Sequence, residues 1–316
     1  MGKVIIKNEF DPTSDVVLYN GDVRNLLPQI PSNLVSLVVT SPPYNIGKPY
    51  ETKLSLDEYL AQQESIIAEC VRVTSDTGSI CWQVGNYVFD SEIIPLDIVL
   101  FPIFQKYGLH LRNRIVWHFG HGLHAQKRFS GRYEVILWFT KTNQYTFNLN
   151  AVRIPQKYPQ KKHFKGPKIG ELSGNPLGKN PSDIWEIPNV KANHIEKTDH
   201  PCQFPVELIE RLVLAFTNAG DWVLDPFMGV GSTAIASLMH GRKAIGAEII
   251  QEYHAIAQER ITLAEKGELQ IRPMDRPVYD PNDNHSYIPP KKIELGFAAQ
   301  GKLLDKKGKY TTKDDK

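Results

Sequence analysis

Short apolar runs alternate with segments of helical periodicity along most of the chain. The apolar runs are rich in β-branched residues and end at turn-forming or polar residues, as strands do; they cover 16–20, 34–39, 78–84, 114–119, 134–140, 222–224 and 243–247. The segments of helical spacing cover 56–73, 93–107, 205–216, 234–240 and 251–266. Strands and helices that alternate in this order predict an α/β domain with a doubly wound, mainly parallel sheet.

Capping residues and prolines refine the helix boundaries. Ser55 with Glu58 three residues later predicts a capping box at the start of the helix 56–73. Pro205 suits the first turn of its helix. Pro102 predicts a kink or a break in the helix 93–107, because proline removes an internal hydrogen bond.

The helical and strand patterns stop near residue 141 and return at 205, with frequent Pro and Gly between. The chain therefore divides into 1–140, an insert at 141–200, a second half at 201–268 and a polar tail at 269–316. The tail ends in a stretch of mostly Lys, Asp, Gly and Thr. Such a composition predicts that the tail is partly disordered.

Composition places this chain of 316 residues, with 41% hydrophobic and 23% charged residues, among water-soluble globular proteins. It has no run of about 18 apolar residues, so no membrane span is expected. The first residues lack the pattern of a signal peptide. Cys70, Cys81 and Cys202 are far apart and lack metal or redox spacing, which indicates reduced thiols and a cytoplasmic location.

Charge is concentrated in a basic segment, residues 153–168, which holds six cations and no acid. The cations are Arg153, Lys157, Lys161, Lys162, Lys165 and Lys168, and Tyr158, His163 and Phe164 lie among them. Cations interleaved with flat side chains are typical of nucleic-acid contact surfaces. A solvated loop is the alternative interpretation.

The segment Ser41-Pro42-Pro43-Tyr44, called here the Ser-Pro-Pro-Tyr loop, comes directly after a predicted buried strand. Two prolines cannot extend a strand, so the chain leaves the sheet there. Ligands of open α/β sheets bind outside the carboxyl ends of the strands. A hydroxyl, rigid carbonyls and an aromatic face at that edge suit a flat, hydrogen-bonding substrate. An ordinary exit from a strand into a loop is the alternative.

Residues 225–233, called here the glycine turn, follow another predicted strand. Gly229 and Gly231 allow close approach of a ligand, and Glu248 after the next strand is placed for a ribose diol. The third glycine of dinucleotide sites and the Gly-Lys-Ser/Thr of phosphate loops are both missing. Phe227 and the acid Asp225 therefore favour a cationic nucleoside without phosphate, such as S-adenosylmethionine.

The two motifs together resemble those of the DNA amino-methyltransferases, which methylate the exocyclic nitrogen of cytosine or adenine. The family pairs a catalytic motif like Ser41-Pro42-Pro43-Tyr44 with a cofactor motif like Phe227-Met228-Gly229-Val230-Gly231. The catalytic motif comes first and a basic insert separates the two, as in the β group. His200-Pro201-Cys202-Gln203-Phe204-Pro205 and Asn20-Gly21-Asp22 resemble two further family motifs, so that the resemblance spans roughly 16–265.

This resemblance implies an enzyme that uses S-adenosylmethionine, with its catalytic half in 1–140, a target-recognition insert at 141–200 and its cofactor-binding half in 201–268. The implied catalytic residues are Ser41, Pro42, Pro43 and Tyr44. The implied cofactor-binding residues are Asp22, Asp225, Pro226, Phe227, Gly229, Gly231, Ser232 and Glu248. For Asp22, a turn-forming role is an equal alternative.

The implied activity is sequence-specific methylation of a base flipped out of double-stranded DNA, in a restriction–modification context. A serine in the first position of the catalytic motif goes mostly with cytosine N4 in this family. The step Tyr44-Asn45-Ile46-Gly47 also resembles loops of adenine enzymes, so adenine N6 is the alternative target. A homodimer and a separate cognate endonuclease stay open as partners.

DNA contacts are expected from Lys157, Lys161, Lys162, Lys165 and Arg153 of the basic segment. Lys127, Arg128 and Arg132 follow a glycine-rich loop, which we expect to contact phosphates or to cover the flipped base. His118, His121 and His124 recur in that loop, but no cysteine or acid completes a site, so no metal is expected.

Three other functions are alternatives to the methylation of DNA. A non-catalytic DNA-binding regulator would be expected to have a disrupted catalytic loop or cofactor turn. Methylation of RNA or of a protein amide is disfavoured by Ser41 in place of Asn and by the basic insert. A nicotinamide oxidoreductase would need the missing glycine and would leave the Ser-Pro-Pro-Tyr loop without a role.

Overall fold

The computed structural model describes residues 3–48, 51–90, 92–120, 122, 124–274 and 276. Within them a nine-stranded sheet has the order β1-β2-β11-β10-β3-β4-β8-β7-β9. Its strands are β1 (Ile6–Lys7), β2 (Val16–Asn20), β3 (Val35–Thr40), β4 (Thr74–Val84), β7 (His110–His118), β8 (Tyr133–Thr140), β9 (Ile184–Glu186), β10 (Trp222–Asp225) and β11 (Lys243–Glu248). Strands β5 (Asn86–Phe89) and β6 (Glu92–Pro95) form a separate hairpin.

Only strand β8 runs against its neighbours, β4 and β7, in this sheet; the other pairs are parallel. The helices are α1 (Val23–Leu26), α2 (Leu56–Val73), α3 (Leu96–Lys106), α4 (Val206–Phe216), α5 (Ser232–Met239) and α6 (Gln251–Lys266), with short 3₁₀ turns at Leu27–Gln29 and Leu149–Ala151. The predicted doubly wound, mainly parallel α/β fold is confirmed. No helix in the described ranges is long and apolar enough to cross a membrane.

Two hydrophobic cores cover the two faces of the sheet. Helices α1, α2 and α3 pack on one face, where Phe104 stacks on Phe139 with ring centroids 4.4 Å apart. Helices α4, α5 and α6 pack on the other, where Phe216 lies 4.4 Å from Trp138. Burial on both faces explains why the central strands are apolar runs without alternation.

Helix α2 begins and ends where the sequence predicts. Ser55 accepts a hydrogen bond from the backbone N–H of Glu58, and the Glu58 carboxylate accepts one from the backbone N–H of Ser55. The predicted capping box is therefore present.

The predicted helix 93–107 was wrong at its start. Residues Glu92–Pro95 pair with Asn86–Phe89 as a hairpin, so the helix begins at Leu96. Pro102 lies inside the helix without ending it. Its ring and the residue four positions earlier, Ile98, are both exposed, so water can hydrogen-bond to the carbonyl that loses its partner.

The segment 141–200 has little regular structure, but it adds β9 to the sheet edge beside β7. This three-residue strand was not predicted from the sequence, because it is too short to show a period. Residues 154–179 form an excursion closed at its base by Ile154 and Lys179, whose backbones exchange hydrogen bonds of 3.0 and 2.9 Å.

The start of the predicted tail packs against the domain. Leu269 and Ile271 are buried, and the backbone N–H of Arg272 donates to Glu196 at 3.0 Å. The remainder of the predicted tail, 275 and 277–316, lies outside the described residues.

Candidate active site

One cavity of about 490 Å³ lies at the carboxyl ends of β2, β3, β10 and β11. This volume is within the roughly 300–1,000 Å³ typical of small-molecule sites. The whole Ser-Pro-Pro-Tyr loop lines it, together with the glycine-turn residues Phe227 and Gly229. Two motifs that are far apart in sequence therefore share one cleft.

The Ser-Pro-Pro-Tyr loop is held from several sides. The hydroxyl of Tyr59 on α2 donates to the carbonyl of Pro43 at 3.0 Å. Asn45 adopts a left-handed conformation with φ of 60°. Its backbone N–H donates to Glu51 at 2.8 Å, and its side-chain amide donates to the carbonyl of Leu54 at 2.8 Å. These contacts fix the loop before any ligand binds.

Ser41 and Tyr44 take part in a further set of hydrogen bonds. The Ser41 hydroxyl donates to the Tyr44 oxygen at 3.1 Å, and the Tyr44 hydroxyl donates to Glu134 Oε2 at 3.3 Å. The side-chain amide of Gln83 donates to the same Glu134 oxygen. Burial raises the pKa of Glu134 to about 7. Both Gln83 and Glu134 line the cavity. Gln83 was not predicted from the sequence, and Glu134 was a minor candidate for which packing was an equal interpretation.

Asp225 connects the two motifs from beneath the cavity. Its carboxylate accepts hydrogen bonds of 2.6 Å from Thr40 and from Thr233, and one of 3.1 Å from the N–H of Phe227. Burial raises the pKa of Asp225 to about 6. Asp225 was predicted to bind the cofactor, but it is not among the residues that line the cavity.

The glycine turn relies on three glycines. Gly229 lines the cavity with φ of 54°, whereas Gly231, with φ of 81°, is the N-cap of helix α5 and does not line the cavity. A Cβ at Gly246 on β11 would lie 2.8 Å from the Met228 Cβ and 2.9 Å from the carbonyl oxygen of Asp225. Gly246 was not predicted from the sequence, because the strand pattern alone does not reveal what packs over it.

Two carboxylates, those of Glu248 and Asp22, lie at strand ends on the other side of the cavity. Pro226 and Ser232 are the remaining predicted cofactor-binding residues that line the cavity. Glu248 accepts a hydrogen bond from the N–H of Ile250 at 2.7 Å, and burial raises its pKa. Asp22 caps helix α1 and pairs with Arg24, which lowers the pKa of Asp22. Both interpretations of Asp22 are therefore compatible with its position.

His200 is a cavity residue that the sequence analysis named only as part of a motif. Its Nδ1 accepts the N–H of Cys202 at 3.2 Å, and its ring packs against Tyr253 with centroids 4.5 Å apart. Burial and the nearby Lys197 and Arg260 lower the pKa of His200 to about 4. The neutral ring must therefore carry its proton on Nε2, which faces Gly229.

None of the predicted DNA-binding cations lines the cavity. Arg153 and Arg132 are partly buried: Arg153 donates to the side chain of Asn150 and the carbonyl of Gly178, and Arg132 to the carbonyl of Gly131. The other six side chains are exposed: Lys127, Arg128, Lys157, Lys161, Lys162 and Lys165.

Clusters of three or more metal-ligating side chains are absent from the described residues. His121, one of the three histidines weighed as a metal site, lies outside the described residues.

The sequence profile of the DNA methylase family with N6 and N4 specificities matches residues 35–259. The match begins before the Ser-Pro-Pro-Tyr loop and ends beyond Glu248, so it contains most of the cavity. The chain belongs to the N6/N4 DNA methylase family. The family resemblance drawn from the two motifs is confirmed.

Two relatives illustrate this membership. The type II methyltransferase M.BglII of Bacillus subtilis is 56% identical over 243 residues, which cover 77% of this chain and 68% of the relative. The DNA adenine methyltransferase YhdJ of Escherichia coli (strain K12) is 32% identical over 254 residues, which cover 78% of this chain and 83% of the relative. This chain is therefore a site-specific DNA methyltransferase.

Solved structures agree with the fold and the cofactor. The PvuII DNA methyltransferase (cytosine-N4-specific) superimposes with a TM-score of 0.63 at 22% identity over 78% of this chain and 86% of that chain, which supports the fold. The Thermus thermophilus protein TTHA0409, complexed with S-adenosyl-L-methionine, has a TM-score of 0.57 at 29% identity over 78% of this chain and 92% of that chain. The predicted cofactor of this DNA methylase, S-adenosylmethionine, is confirmed.

Proposed function

We propose that this DNA methylase transfers a methyl group to the N4 amino group of a cytosine flipped out of double-stranded DNA. The methylation occurs at a specific sequence and protects host DNA within a restriction–modification system. The shared cavity of the Ser-Pro-Pro-Tyr loop and the glycine turn supports this proposal, because amine and methyl donor must meet there. A homodimer and a cognate endonuclease stay predictions.

The cofactor lies along the glycine turn in this proposal. Phe227, Gly229 and Glu248 would hold it there: Phe227 offers an apolar ring to the nucleoside, Gly229 leaves the backbone open to close approach, and the Glu248 carboxylate would accept hydrogen bonds from the ribose hydroxyls. Pro226, Ser232 and Asp22 complete the contact surface. Asp225 and Gly231 act indirectly, since they shape the turn from below. When bound, S-adenosylmethionine supplies an electrophilic methyl group on a sulfonium centre.

The target amine is activated by the Ser-Pro-Pro-Tyr loop. The lone pair of this amine is delocalised into the aromatic ring of the base, so the amine is a poor nucleophile. The hydroxyl oxygen of Ser41 and the carbonyl of Pro42 accept its two N–H groups, so that electron density returns to the nitrogen. Pro43 keeps the loop rigid, and the Tyr44 ring stacks on the flipped base, which stabilises it by about 1–3 kcal/mol.

The exposed cations bind the phosphates of the duplex. Lys157, Lys161, Lys162 and Lys165 present their ammonium groups on the excursion 154–179, and Lys127 and Arg128 lie in the loop before β8. Arg153 and Arg132 contribute more to the shape of these segments, because their guanidinium groups already donate to the chain. Such contacts supply affinity that does not depend on sequence.

Cytosine is preferred over adenine as the target because Ser41 occupies the first position of the catalytic motif. Adenine N6 is the second candidate. It is favoured by the 32% identity to a relative named as an adenine methyltransferase and by the step Tyr44-Asn45-Ile46-Gly47. A neutral serine accepts a hydrogen bond from either amine, so the product must decide between them.

The test is incubation of the full chain with plasmid DNA and isotopically labelled S-adenosylmethionine, followed by digestion and mass spectrometry of the nucleosides. We expect labelled N4-methylcytosine. Labelled N6-methyladenine would overturn the target base. A chain that binds the cofactor but labels neither base on varied DNA would overturn the proposal. Ser41→Ala is the matched control, because it keeps the cavity and removes the acceptor.

A further inference from the structure

A chain of hydrogen bonds leads away from the position proposed for the target amine. It runs from the Ser41 hydroxyl to the Tyr44 oxygen over 3.1 Å, and from the Tyr44 hydroxyl to Glu134 Oε2 over 3.3 Å. All three side chains line the cavity. This series of hydrogen bonds therefore begins at Ser41, the proposed acceptor of the amine N–H, and ends at the Glu134 carboxylate on strand β8.

The ionisation of Glu134 sets the direction of these bonds. An ionised carboxylate only accepts, so the Tyr44 hydroxyl must donate to it. The Tyr44 oxygen is then left to accept the hydrogen of Ser41. Both lone pairs of the Ser41 oxygen therefore stay available to an N–H group in the cavity.

The sheet places Glu134 beside this loop. Thr40 at the end of β3 pairs with Trp82 on β4, so the following residues, Ser41 and Gln83, lie side by side. The amide of Gln83 donates to Glu134 on the neighbouring strand β8. Gly85 leaves room for the pair, since a Cβ there would lie 3.0 Å from the Tyr44 ring and 3.3 Å from Glu134 Oε1.

The surroundings of Glu134 suit a proton acceptor near neutral pH. Burial raises its pKa to about 7, while Gln83 from β4 and Tyr44 from the loop oppose the shift by donating hydrogen bonds. Burial, the charge of Glu134 and, to a smaller extent, Cys202 raise the pKa of Tyr44. The phenol of Tyr44 therefore keeps its proton at rest. An acceptor with a pKa close to the working pH is effective in proton transfer.

We propose that Glu134 is the final acceptor of the proton that the target amine loses, and that Ser41 and Tyr44 relay this proton to it. The inference rests on the function proposed above and adds a proton-relay role for Tyr44 and a proton-accepting role for Glu134. It also explains why a polar chain extends from the loop into the sheet rather than ending at Ser41.

Atoms and charge balance in this step. The bond from sulfur to the methyl carbon breaks and a bond from nitrogen to carbon forms, so the positive charge moves from sulfonium to the methylated amine. The amine gives one proton to the Ser41 oxygen, the Ser41 proton passes to the Tyr44 oxygen, and the Tyr44 proton passes to Glu134 Oε2. One cation and one carboxylate are thereby converted into neutral groups.

The test compares Glu134→Gln, Tyr44→Phe and the double variant in single-turnover methylation from pH 5.5 to 8.5. In the wild type we expect the rate to rise about tenfold per pH unit below pH 7 and then to level off. Each single variant should be slower by about 10²-fold and lose this rise, because the relay is broken. The double variant should be no slower than the single variants.

Tyr59→Phe is the matched control. It removes a buried tyrosine hydroxyl that bonds to the same loop at Pro43, outside the relay. Whatever its absolute rate, we expect Tyr59→Phe to keep the increase of the methylation rate with pH below pH 7. Loss of that rise in Tyr59→Phe, or its persistence in Glu134→Gln, would overturn the relay.

A second measurement does not depend on activity. Because the pKa of Glu134 is raised on folding, from 4.5 to about 7, the folded state holds the extra proton in that range. The free energy of unfolding of the wild type, relative to Glu134→Gln, should therefore fall as the pH rises from 4.5 to 7. A constant difference would contradict a titrating Glu134. If the wild type formed no methylated base, the proposed function itself would fail instead.

Discussion

The hydroxyl of Thr40 donates a hydrogen bond of 2.6 Å to the carboxylate of Asp225, a residue 185 positions later in the chain. Thr40 directly precedes the Ser-Pro-Pro-Tyr loop, and Asp225 begins the glycine turn. The same carboxylate accepts a bond of 2.6 Å from Thr233 on helix α5. A single buried acid therefore connects the Ser-Pro-Pro-Tyr loop to the glycine turn.

Thr40→Val tests this connection, because valine keeps the shape of threonine and removes the donor. We expect the free energy of unfolding to fall by about 1.5–3 kcal/mol, since a buried hydrogen bond to a carboxylate is lost. Affinity for S-adenosylmethionine should also fall, because Asp225 holds the N–H of Phe227. Denaturant unfolding and calorimetric titration measure the two effects.

The control for Thr40→Val is Thr262→Val on helix α6, where the hydroxyl donates to a carbonyl of its own helix. Its effect on the free energy of unfolding should stay within about 0.5 kcal/mol. Equal stability of Thr40→Val and the wild type would show that the bond to Asp225 contributes nothing.

Gly246→Ala should close the space under the glycine turn. The new Cβ would meet the Met228 Cβ at 2.8 Å and the carbonyl oxygen of Asp225 at 2.9 Å, and the backbone of the turn would have to shift. We expect a loss of about 1–3 kcal/mol in the free energy of unfolding and weaker cofactor binding. Gly131→Ala is the matched control, because nothing lies within 4 Å of its Cβ. Normal cofactor affinity in Gly246→Ala would argue against this packing.

The triple change of Lys161, Lys162 and Lys165 to alanine tests the basic segment. We expect weaker DNA binding and a shallower dependence of log K on log salt, by about 0.9 for each phosphate that a lysine no longer neutralises. Affinity for S-adenosylmethionine should not change, because these lysines do not line the cavity. Fluorescence anisotropy at several salt concentrations provides the measurement.

A charge-matched control for the lysine triple is the change of Lys3, Lys7 and Lys266 to alanine. These three side chains are exposed and lie near the β1 edge or on α6, away from the excursion 154–179. The control should retain the salt slope of the wild type. An identical slope for both triple variants would remove the basic segment from the DNA interface.

The lowered pKa of His200 predicts a loss of folding stability in acid. Its pKa is lowered on folding, from 6.5 to about 4, so the unfolded state binds the extra proton between these values. The stability that this difference contributes is present above pH 6.5 and is lost as the pH falls towards 4. Against the wild type, His200→Gln should show a shallower fall in the free energy of unfolding, by about 2 kcal/mol at most. The difference in the free energy of unfolding between the two proteins at pH 8 gives the effect of the substitution itself. Parallel curves of this free energy against pH would exclude His200 as the cause of the acid instability.

The sequence by itself determined most of the helices, the central strands of the sheet and the two motifs. Helices Leu56–Val73 and Gln251–Lys266 match their predicted bounds, because apolar spacing and capping are local properties that neighbouring residues express directly. The Ser-Pro-Pro-Tyr loop and the glycine turn were recognisable for the same reason. The two motifs together implied the family, and the glycine turn favoured S-adenosylmethionine; both predictions were confirmed.

Only the tertiary structure decided which side chains meet. Tyr44 and Glu134 are 90 positions apart, and their contact depends on the strand order β3-β4-β8 and on the register of the pairs. Asp225 was predicted to touch the ligand but does not line the cavity, and two threonines from other elements donate hydrogen bonds to its oxygens. Strand β9 and Gly246 likewise acquire their roles from neighbours across the sheet. Contacts of this kind arise from packing between distant segments, which no local pattern records.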